Sequence, residues 1–482
     1  MRRVMVASVV ALVAVTGYAA ADVFDVVPGI LTLDRPAGDP NANPTSTASG
    51  VASPAVPEPA ATVDPLLTDS GAGAPAPTRA GLARALTTAS GDSTLKGVTG
   101  ISVLDGITGV QLWGLSPSTP RVPASTQKLM AALAVADGLD SEQRMTTSVV
   151  AAPGSDDLVL VVGGDMLLAS GAGDPAAVAG RAGLGDLAAQ VAASLAPSGR
   201  TRVRLRLDLS YAPGPRYPST WRLQDVQIGF AQAVVMAGLA SQLPRTRHPS
   251  PLRPEREVAA AFRKQLAARG VSATLLPEST WSAAAPAGAR GLGHVESATY
   301  ADVLHFTLDR SENSLTENLT RQAAFAAGRP TTHQGDNARF IRERLTAHGV
   351  TTAGLVITDA SGLSPGQRAT PATLAGVLRL ATSHAVPELR RSVAGLPISG
   401  LTGTLAGRFS APATRGVAGV PRAKTGTLAG GSGLAGTTVD ADGRPLTFVV
   451  LIDNRRQDYE GTLRARAALD RIVATLTRCG CR

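Results

Sequence analysis

The stretch Ser125-Thr126-Gln127-Lys128-Leu129-Met130-Ala131-Ala132-Leu133 joins a short polar segment to an apolar run, and it predicts a buried helix over residues 125–139. Residues i and i+3 share a helix face, so the Ser125 hydroxyl and the Lys128 amine can meet at the start of this helix. A serine hydroxyl becomes a good nucleophile only when a base takes its proton, and a lysine is such a base when its pKa is lowered by burial or by neighbouring cations. An isolated Ser-x-x-Lys is nevertheless more often a helix cap followed by a solvated lysine.

Strands are predicted on both sides of this helix. Residues 100–115 contain Asp105-Gly106 between two apolar segments, which predicts a hairpin. Residues 433–439 and 445–452 predict a second hairpin, and residues 459–477 predict a closing helix. Strands at both ends with helices between them predict an α+β fold in which the first and last strands come together in one sheet.

The middle of the chain mixes both periodicities. The alternation of Arg202, Arg204 and Arg206 with apolar residues predicts a half-solvated strand over 202–209. The other predicted elements here are a buried strand over 159–162 and helical segments over 175–195, 255–269 and 299–327.

A second polar segment, Ser311-Glu312-Asn313, falls on a turn between helical segments. Its serine can relay a proton and its asparagine can hold a substrate amide, although both residue types commonly cap helices. A third segment, Lys424-Thr425-Gly426-Thr427, lies on a strand that enters the final hairpin. Its lysine and threonines can bind a carboxylate, and Gly426 lets a substrate backbone approach the strand. The alternative is an exposed lysine that protects an edge strand from aggregation.

The three segments gain weight together because lysine is rare in this chain. Its only lysines are Lys96, Lys128, Lys264 and Lys424, and two of them lie in the three segments. The order Ser-x-x-Lys, Ser-x-Asn, Lys-Thr-Gly marks β-lactamases and penicillin-binding proteins.

Other candidate sites are weaker. The segment Gly362-Leu363-Ser364-Pro365-Gly366 fits a nucleophile elbow, but Pro365 lacks the N–H that an elbow uses, so we predict a loop. The six histidines form no metal-binding pattern, and neither a metal nor another cofactor is expected. Cys479 and Cys481 either form a small, strained disulfide loop or lie in a frayed tail, and the frayed tail is favoured.

The N-terminal region predicts export. Residues 1–21 combine two arginines with an apolar run and an Ala-rich end, which is typical of a signal peptide or a membrane anchor. Residues 22–79 are rich in Pro, Ala and Thr and predict a disordered linker. The net charge of +9 is carried by arginine, and without a nucleic-acid-binding motif it indicates a solvated surface rather than nucleic acid as a partner. The bulk of the chain is therefore expected outside the cytoplasm.

Over residues 97–473 the chain resembles peptidase family S13, the class C low-molecular-mass penicillin-binding proteins. Besides the three motifs, the resemblance rests on residues 162–165 (Val-Gly-Gly-Asp), 359–364 (Asp-Ala-Ser-Gly-Leu-Ser), 396–400 (Leu-Pro-Ile-Ser-Gly) and 403–405 (Gly-Thr-Leu). It implies a penicillin-binding/β-lactamase-like transpeptidase domain, an antiparallel sheet flanked by helices, with a large inserted domain. The expected parts are 80–150 and 294–482 for this domain and 151–293 for the insert. The chain departs from the family at Glu312, where members often have Asp.

The resemblance also implies a reaction. Ser125 would attack the penultimate D-Ala of a peptidoglycan stem peptide, with Lys128 as base, Ser311 as proton relay and Asn313 holding the substrate amide. Lys424, Thr425, Gly426 and Thr427 would bind the substrate, and β-lactam antibiotics would acylate Ser125 as covalent inhibitors. The implied function is a serine-type D-Ala-D-Ala carboxypeptidase of the cell envelope. A DD-endopeptidase that cleaves cross-links, a non-catalytic wall-binding or β-lactam-sensing module, and a β-lactamase remain as alternatives, the last disfavoured by the long insert.

Overall fold

The computed structural model describes residues 73–91, 95–152, 155–453 and 458–482. The predicted signal or anchor (1–21) and most of the predicted linker (22–72) lie outside these residues. Within the described ranges, no helix combines the length and apolar character needed to cross a bilayer.

The first sheet brings the two ends of the chain together. Its five strands are β1 (Thr99–Asp105), β2 (Gln111–Leu115), β8 (Arg422–Leu428), β9 (Gly431–Val439) and β10 (Pro445–Asp453). They run in the order β2-β1-β10-β9-β8, and every neighbouring pair is antiparallel. Strand β1 pairs with β10 along its full length, so the predicted meeting of first and last strands is confirmed. Both predicted hairpins are also present.

The chain forms helices of widely different length between and around the strands. In chain order these are α1 (Arg79–Ser90), α2 (Lys128–Gly138), α3 (Leu184–Leu195), α4 (Leu223–Gln227), α5 (Pro254–Ala267), α6 (Tyr300–Arg310), α7 (Asn313–Ala326), α8 (Asp336–Ala347), α9 (Pro371–Thr382), α10 (Pro387–Ala394) and α11 (Tyr459–Thr477).

The first sheet is covered on both faces because its strands alternate two sets of apolar residues. On β10, Phe448 and Val450 pack with α1 and α11, whereas Val449 and Leu451 pack with α2, α7 and α9. Side chains of successive strand residues point to opposite faces, so one strand supplies both cores. The result is a layer of sheet between two layers of helix.

The second sheet belongs to the middle of the chain. Its strands are β3 (Arg144–Ala151), β4 (Asp157–Val161), β5 (Arg202–Asp208), β6 (Ser272–Leu275) and β7 (Arg290–Thr299). They run in the order β6-β5-β4-β3-β7, and α3 and α5 pack on one face. Strand β5 alternates exposed and buried residues as predicted from Arg202 to Leu205, but Arg206 is half-buried and Asp208 at its end is buried. Because β3 pairs with β7, the chain enters and leaves this region at adjacent strands.

Two predicted helices begin several residues before the observed ones. The helix predicted over 175–195 begins only at Leu184, because Gly180 adopts a positive φ of 89° and the backbone at Gly173 is held by the Asp186 carboxylate, 2.7 Å away. In the helix predicted over 125–139, the α-helix begins at Lys128, and residues Ala124–Gln127 form a 3-10 turn before it.

The prediction of a frayed C-terminal tail was wrong. Cys479 is buried, and it forms a disulfide with Cys481. The N–H of Thr78 donates to the carbonyl of Cys481 over 2.7 Å, so the tail is held against the start of α1. The burial of Cys479 and the hydrogen bond from Thr78 depend on the tertiary fold, so the composition of the last residues does not predict them.

Candidate active site

Ser125 lies in the 3-10 turn that precedes α2. In a 3-10 helix the side chains at i and i+3 eclipse each other, which brings Lys128 directly over Ser125. The Lys128 Nζ lies 3.0 Å from Ser125 Oγ, within hydrogen-bonding distance. The preceding residue, Ala124, has a φ of 45°, a left-handed conformation that non-glycine residues rarely adopt and that is often found near functional sites.

Lys128 is fully buried, with 0% of its surface exposed. Besides Ser125, its Nζ contacts Asn313 Oδ1 at 2.6 Å and the carbonyl of Ser361 at 2.7 Å. Burial lowers the pKa of Lys128 to about 8, although the acidic side chains of Asp359, Glu312 and Glu317 act in the opposite direction. A buried lysine with a lowered pKa can lose its proton near neutral pH and act as a base.

The second motif lies between α6 and α7. Ser311 ends α6 with a φ of 59°, and Asn313 is the first residue of α7. Asn313 faces Lys128 through its oxygen and donates its Nδ2 to the carbonyl of Phe230 at 2.7 Å. The Glu312 carboxyl turns inward: its Oε2 is buried and has no hydrogen-bond partner among the described residues. Burial raises the pKa of Glu312 to about 7, while Lys128 and Arg310 oppose this shift.

Lys424 lies on the edge strand β8, but the interpretation of an exposed edge lysine is wrong. It is fully buried, and its Nζ contacts Ser311 Oγ at 2.8 Å and the Thr425 carbonyl at 3.0 Å. The Thr425 hydroxyl donates to the hydroxyl of Thr404 over 2.8 Å. The Lys424 amine, from the third motif, therefore contacts Ser311 of the second motif.

Strand β8 runs directly past the turn that carries Ser125. A Cβ atom at Gly426 would lie 2.7 Å from the Pro123 carbonyl oxygen and 3.2 Å from the Ser125 nitrogen. Gly426 thus permits close approach of the chain's own backbone, in addition to the substrate approach that we predicted. The next residue, Thr427, has a buried hydroxyl without a hydrogen-bond partner in the described part of the chain.

The eight predicted site residues lie together where the turn before α2, the junction of α6 and α7 and strand β8 meet, and this region is called the cleft: Ser125, Lys128, Ser311, Asn313, Lys424, Thr425, Gly426 and Thr427. Three further residues that belong to none of the three motifs lie behind them. Ser361 supplies a carbonyl to Lys128, Glu317 supports the Ser361 peptide, and Asp359 accepts from Trp221 Nε1. The segment 359–364 did carry a signal, because it belongs to the family resemblance, but the resemblance assigned it no role.

Ser364, the serine of the nucleophile-elbow pattern, lies in a loop. The Ser364 hydroxyl is buried and donates to Asp359 Oδ2 over 2.6 Å. Its hydrogen is therefore already donated to Asp359, behind the cleft. Across the described ranges, no group of three or more His, Cys, Asp or Glu side chains is arranged to hold a metal ion.

Comparison with known proteins gives matches over most of the chain. The sequence profile described as the D-Ala-D-Ala carboxypeptidase 3 (S13) family matches residues 82–242 and 239–476. Carboxypeptidase DacB of Mycolicibacterium smegmatis is 34% identical over 432 residues, which cover 88% of this chain and 89% of the relative.

Solved structures of penicillin-binding protein 4 share the fold. Penicillin-binding protein 4 of Haemophilus influenzae superposes with a TM-score of 0.64 at 19% identity, covering 81% of this chain and 98% of that one. A second structure of that protein, complexed with a β-lactam, gives a TM-score of 0.55 at 20% identity, with the same coverage. The predicted α+β fold of the penicillin-binding protein type is confirmed.

Proposed function

We propose, since the chain belongs to the D-Ala-D-Ala carboxypeptidase 3 (S13) family, that it is a serine-type D-Ala-D-Ala carboxypeptidase that acts on peptidoglycan stem peptides through an acyl-enzyme on Ser125. The observation that carries the proposal is the contact of the buried Lys128 Nζ with both Ser125 Oγ and Asn313 Oδ1. It joins a partly exposed hydroxyl to a base whose proton affinity is lowered by burial.

Acylation follows from these contacts. Neutral Lys128 takes the hydroxyl proton as Ser125 Oγ forms a bond to the carbonyl carbon of the penultimate D-Ala. The negative charge that develops on the carbonyl oxygen is stabilised by the backbone N–H groups of Ser125 and Thr427. The close packing of Gly426 against the Ser125 nitrogen supports this placement of the two donors.

Departure of the terminal D-Ala requires a proton on its nitrogen. Ser311 relays the proton that Lys128 took from Ser125: its own O–H donates to the leaving amine while its oxygen, which also accepts from Lys424, takes that proton, so Lys128 is neutral again before deacylation. The C–N bond then breaks, and D-Ala leaves as the amine. Lys424 and Thr425 hold the carboxylate of the terminal D-Ala, and the second N–H of Asn313 holds a substrate amide.

Deacylation restores the enzyme. A water molecule gives a proton to Lys128 and attacks the ester carbonyl, and the ester bond to Ser125 Oγ breaks as the serine oxygen regains its proton. A β-lactam enters the same path, since its amide and carboxylate resemble the end of the stem peptide. The Haemophilus influenzae relative has been solved with a β-lactam, which supports the same inhibition here.

The predicted place of action is the cell envelope, where peptidoglycan lies. We propose that residues 1–21 direct export, either as a cleaved signal or as a retained anchor.

Labelling with a fluorescent penicillin tests the assignment of Ser125. The wild-type protein and Ser364→Ala are expected to become labelled, and Ser125→Ala is expected to remain unlabelled. Ser364 is the matched control because it is the serine of the nucleophile-elbow pattern, the alternative nucleophile that the sequence offered. Peptide mapping of the adduct to any other serine, or equal labelling of Ser125→Ala, would contradict the assignment.

Release of free D-Ala from a pentapeptide substrate is expected from the wild type, and cleavage of cross-linked dimers without such release would favour the endopeptidase alternative.

A further inference from the structure

Glu317 is a buried carboxyl that is held by several hydrogen bonds behind the cleft. It lies on α7, one helical turn after Asn313, and only 1% of its surface is exposed. Its Oε1 accepts from the backbone N–H groups of Ala360 at 2.7 Å and Ser361 at 3.0 Å. Its Oε2 accepts from Asn337 Nδ2 at 2.8 Å. A carboxylate bound in this way fixes the peptide it contacts.

The peptide that Glu317 holds is the one that binds the base. The carbonyl of Ser361 accepts from Lys128 Nζ over 2.7 Å. Residues i and i+4 share a helix face, so α7 supports Lys128 twice. Asn313 contacts the amine directly, and Glu317 does so through the Ser361 peptide.

The charges around the base also involve Glu317. Lys128 is faced by Asp359, Glu312 and Glu317. Glu317 in turn is faced by Asp359 and by the buried guanidinium of Arg321, and Glu312 is faced by Arg310. A small cavity of about 20 Å³, lined by Glu317, Arg321, Asp336, His333, Asn337 and Asp359, lies on this side.

Building on the proposed function, we propose that Glu317 is a positioning residue for acylation, which holds the Ser361 carbonyl against Lys128 and keeps a negative charge close to the amine. Burial, together with the charge of Asp359, raises the pKa of Glu317 to about 7, so its ionisation changes in the range where the enzyme works. Ionised Glu317 raises the pKa of Lys128, in opposition to burial.

The rate of acylation by a fluorescent penicillin, followed as a function of pH, separates these two effects. In the wild type, the rate is expected to rise with pH and reach half its maximum near pH 8. Glu317→Gln keeps an acceptor for the two N–H groups but removes the charge, so the midpoint is expected to fall by roughly one pH unit with little change in the maximal rate. Glu317→Ala also releases the Ser361 peptide, and its maximal rate is expected to fall on the order of 10- to 100-fold.

Asp470→Asn is the matched control, because it removes a buried carboxylate on α11 that pairs with Arg408, and α11 packs on the opposite face of the first sheet from α2. Its pH profile is expected to follow the wild type. A Glu317→Gln profile that coincides with the wild type would overturn the proposal while Ser125 labelling stands. Absence of labelling in the wild type at every pH would overturn the proposed function instead.

Asn337→Ala decides the matter if the Glu317 variants do not fold. It removes a hydrogen bond that lowers the pKa of Glu317, so Glu317 is protonated over more of the neutral range. The midpoint of the acylation profile is expected to shift in the same direction as in Glu317→Gln, by a smaller amount. An unchanged profile in a folded Asn337→Ala protein would overturn the proposal.

Discussion

At the level of single residues, Gly426 determines how closely strand β8 approaches the 3-10 turn that carries Ser125. Strand β8 passes the turn at a distance that leaves no room for a side chain, because a Cβ there would meet the Pro123 carbonyl at 2.7 Å. Real Cβ atoms are not found so close to backbone oxygens, and the backbone cannot move aside without displacing Ser125.

Gly426→Ala is therefore expected to slow acylation by penicillin on the order of 100-fold, since a shift of the turn by about 1 Å misplaces the nucleophile. The overpacking is expected to cost about 1–3 kcal/mol of unfolding free energy, so the protein still folds. Stopped-flow or gel-based acylation rates, together with chemical denaturation, measure the two effects.

Gly430→Ala provides the control within the same hairpin. A Cβ at Gly430 meets only Val122 at 3.9 Å, an ordinary contact, and its backbone does not have a positive φ. Acylation by this variant is expected to match the wild type. If Gly426→Ala reacts as fast as Gly430→Ala, the close approach of β8 does not control the position of Ser125.

At the level of elements, the sequence predicted those parts that obey a local rule. The closing helix Tyr459–Thr477 was predicted with its observed bounds, because its apolar periodicity is uninterrupted. The pairing of β1 with β10 followed from strands at both ends of the chain. The start of α3 was missed because the backbone N–H of Gly173 is held by the Asp186 carboxylate, a contact that periodicity cannot detect.

The site was predictable to the same extent. Motif spacing identified Ser125, Lys128, Ser311, Asn313 and Lys424, because those side chains carry the chemistry. It did not identify the carbonyls of Ser361 and Phe230, because a backbone acceptor can belong to any residue type. Contacts of this kind depend on the fold of the segment around them.

A hydrogen bond between Trp221 and Asp359 joins the region of the second sheet to the segment 359–364 behind the cleft. Trp221 precedes α4, and its Nε1 donates to Asp359 Oδ2 over 2.8 Å. Asp359 also accepts from the backbone N–H of Gly362 and from the Ser364 hydroxyl. Trp221 therefore links residues of the predicted insert to the loop that supplies the Ser361 carbonyl.

Trp221→Phe is expected to lower the free energy of unfolding by about 1.5–3 kcal/mol, because the lost hydrogen bond has a charged acceptor. Trp281→Phe is the control: it removes a hydrogen bond from a buried indole to the neutral carbonyl of Leu276, 3.2 Å away, and is expected to cost about 0.5–1.5 kcal/mol. Urea denaturation measures both. Equal costs would show that the Asp359 contact adds nothing beyond an ordinary hydrogen bond.

At the level of the whole molecule, we propose that residues 80–150 and 294–482 form one domain and that residues 151–293 are inserted into it. The pairing of β3 with β7 supports an insert, because it returns the chain to the place where it left, but both proposed boundaries fall inside these two strands, so the second sheet extends from Arg144 to Thr299, a few residues beyond the predicted insert. The cleft draws on both parts, since Asn313 of α7 donates to the carbonyl of Phe230. The stability of the regions is therefore coupled through buried polar groups.

Asp165 is a buried carboxyl of the predicted insert, and it makes stability depend on pH. Only 2% of its surface is exposed, and its Oδ1 accepts from the N–H of Leu167 over 2.7 Å. Burial raises its pKa from 3.8 to about 7, so between these values the carboxyl binds a proton in the folded protein and not in the unfolded chain. Its contribution to stability is complete below about pH 3.8 and is lost as the pH rises to about 7.

Asp165→Asn removes this titration, because an amide stays neutral at every pH. Relative to the wild type, the free energy of unfolding of the variant is expected to rise by a few kcal/mol between about pH 4.5 and about pH 8, whatever constant cost the added N–H groups impose. Asp174→Asn is the matched control: Asp174 also accepts from the N–H two residues later, at 2.9 Å, but it is exposed. The difference between Asp174→Asn and the wild type is expected to stay constant over the same pH range. Urea denaturation at a series of pH values measures both differences, and parallel curves for Asp165→Asn and the wild type would mean that Asp165 carries its charge in the folded protein at the same pH as in the unfolded chain.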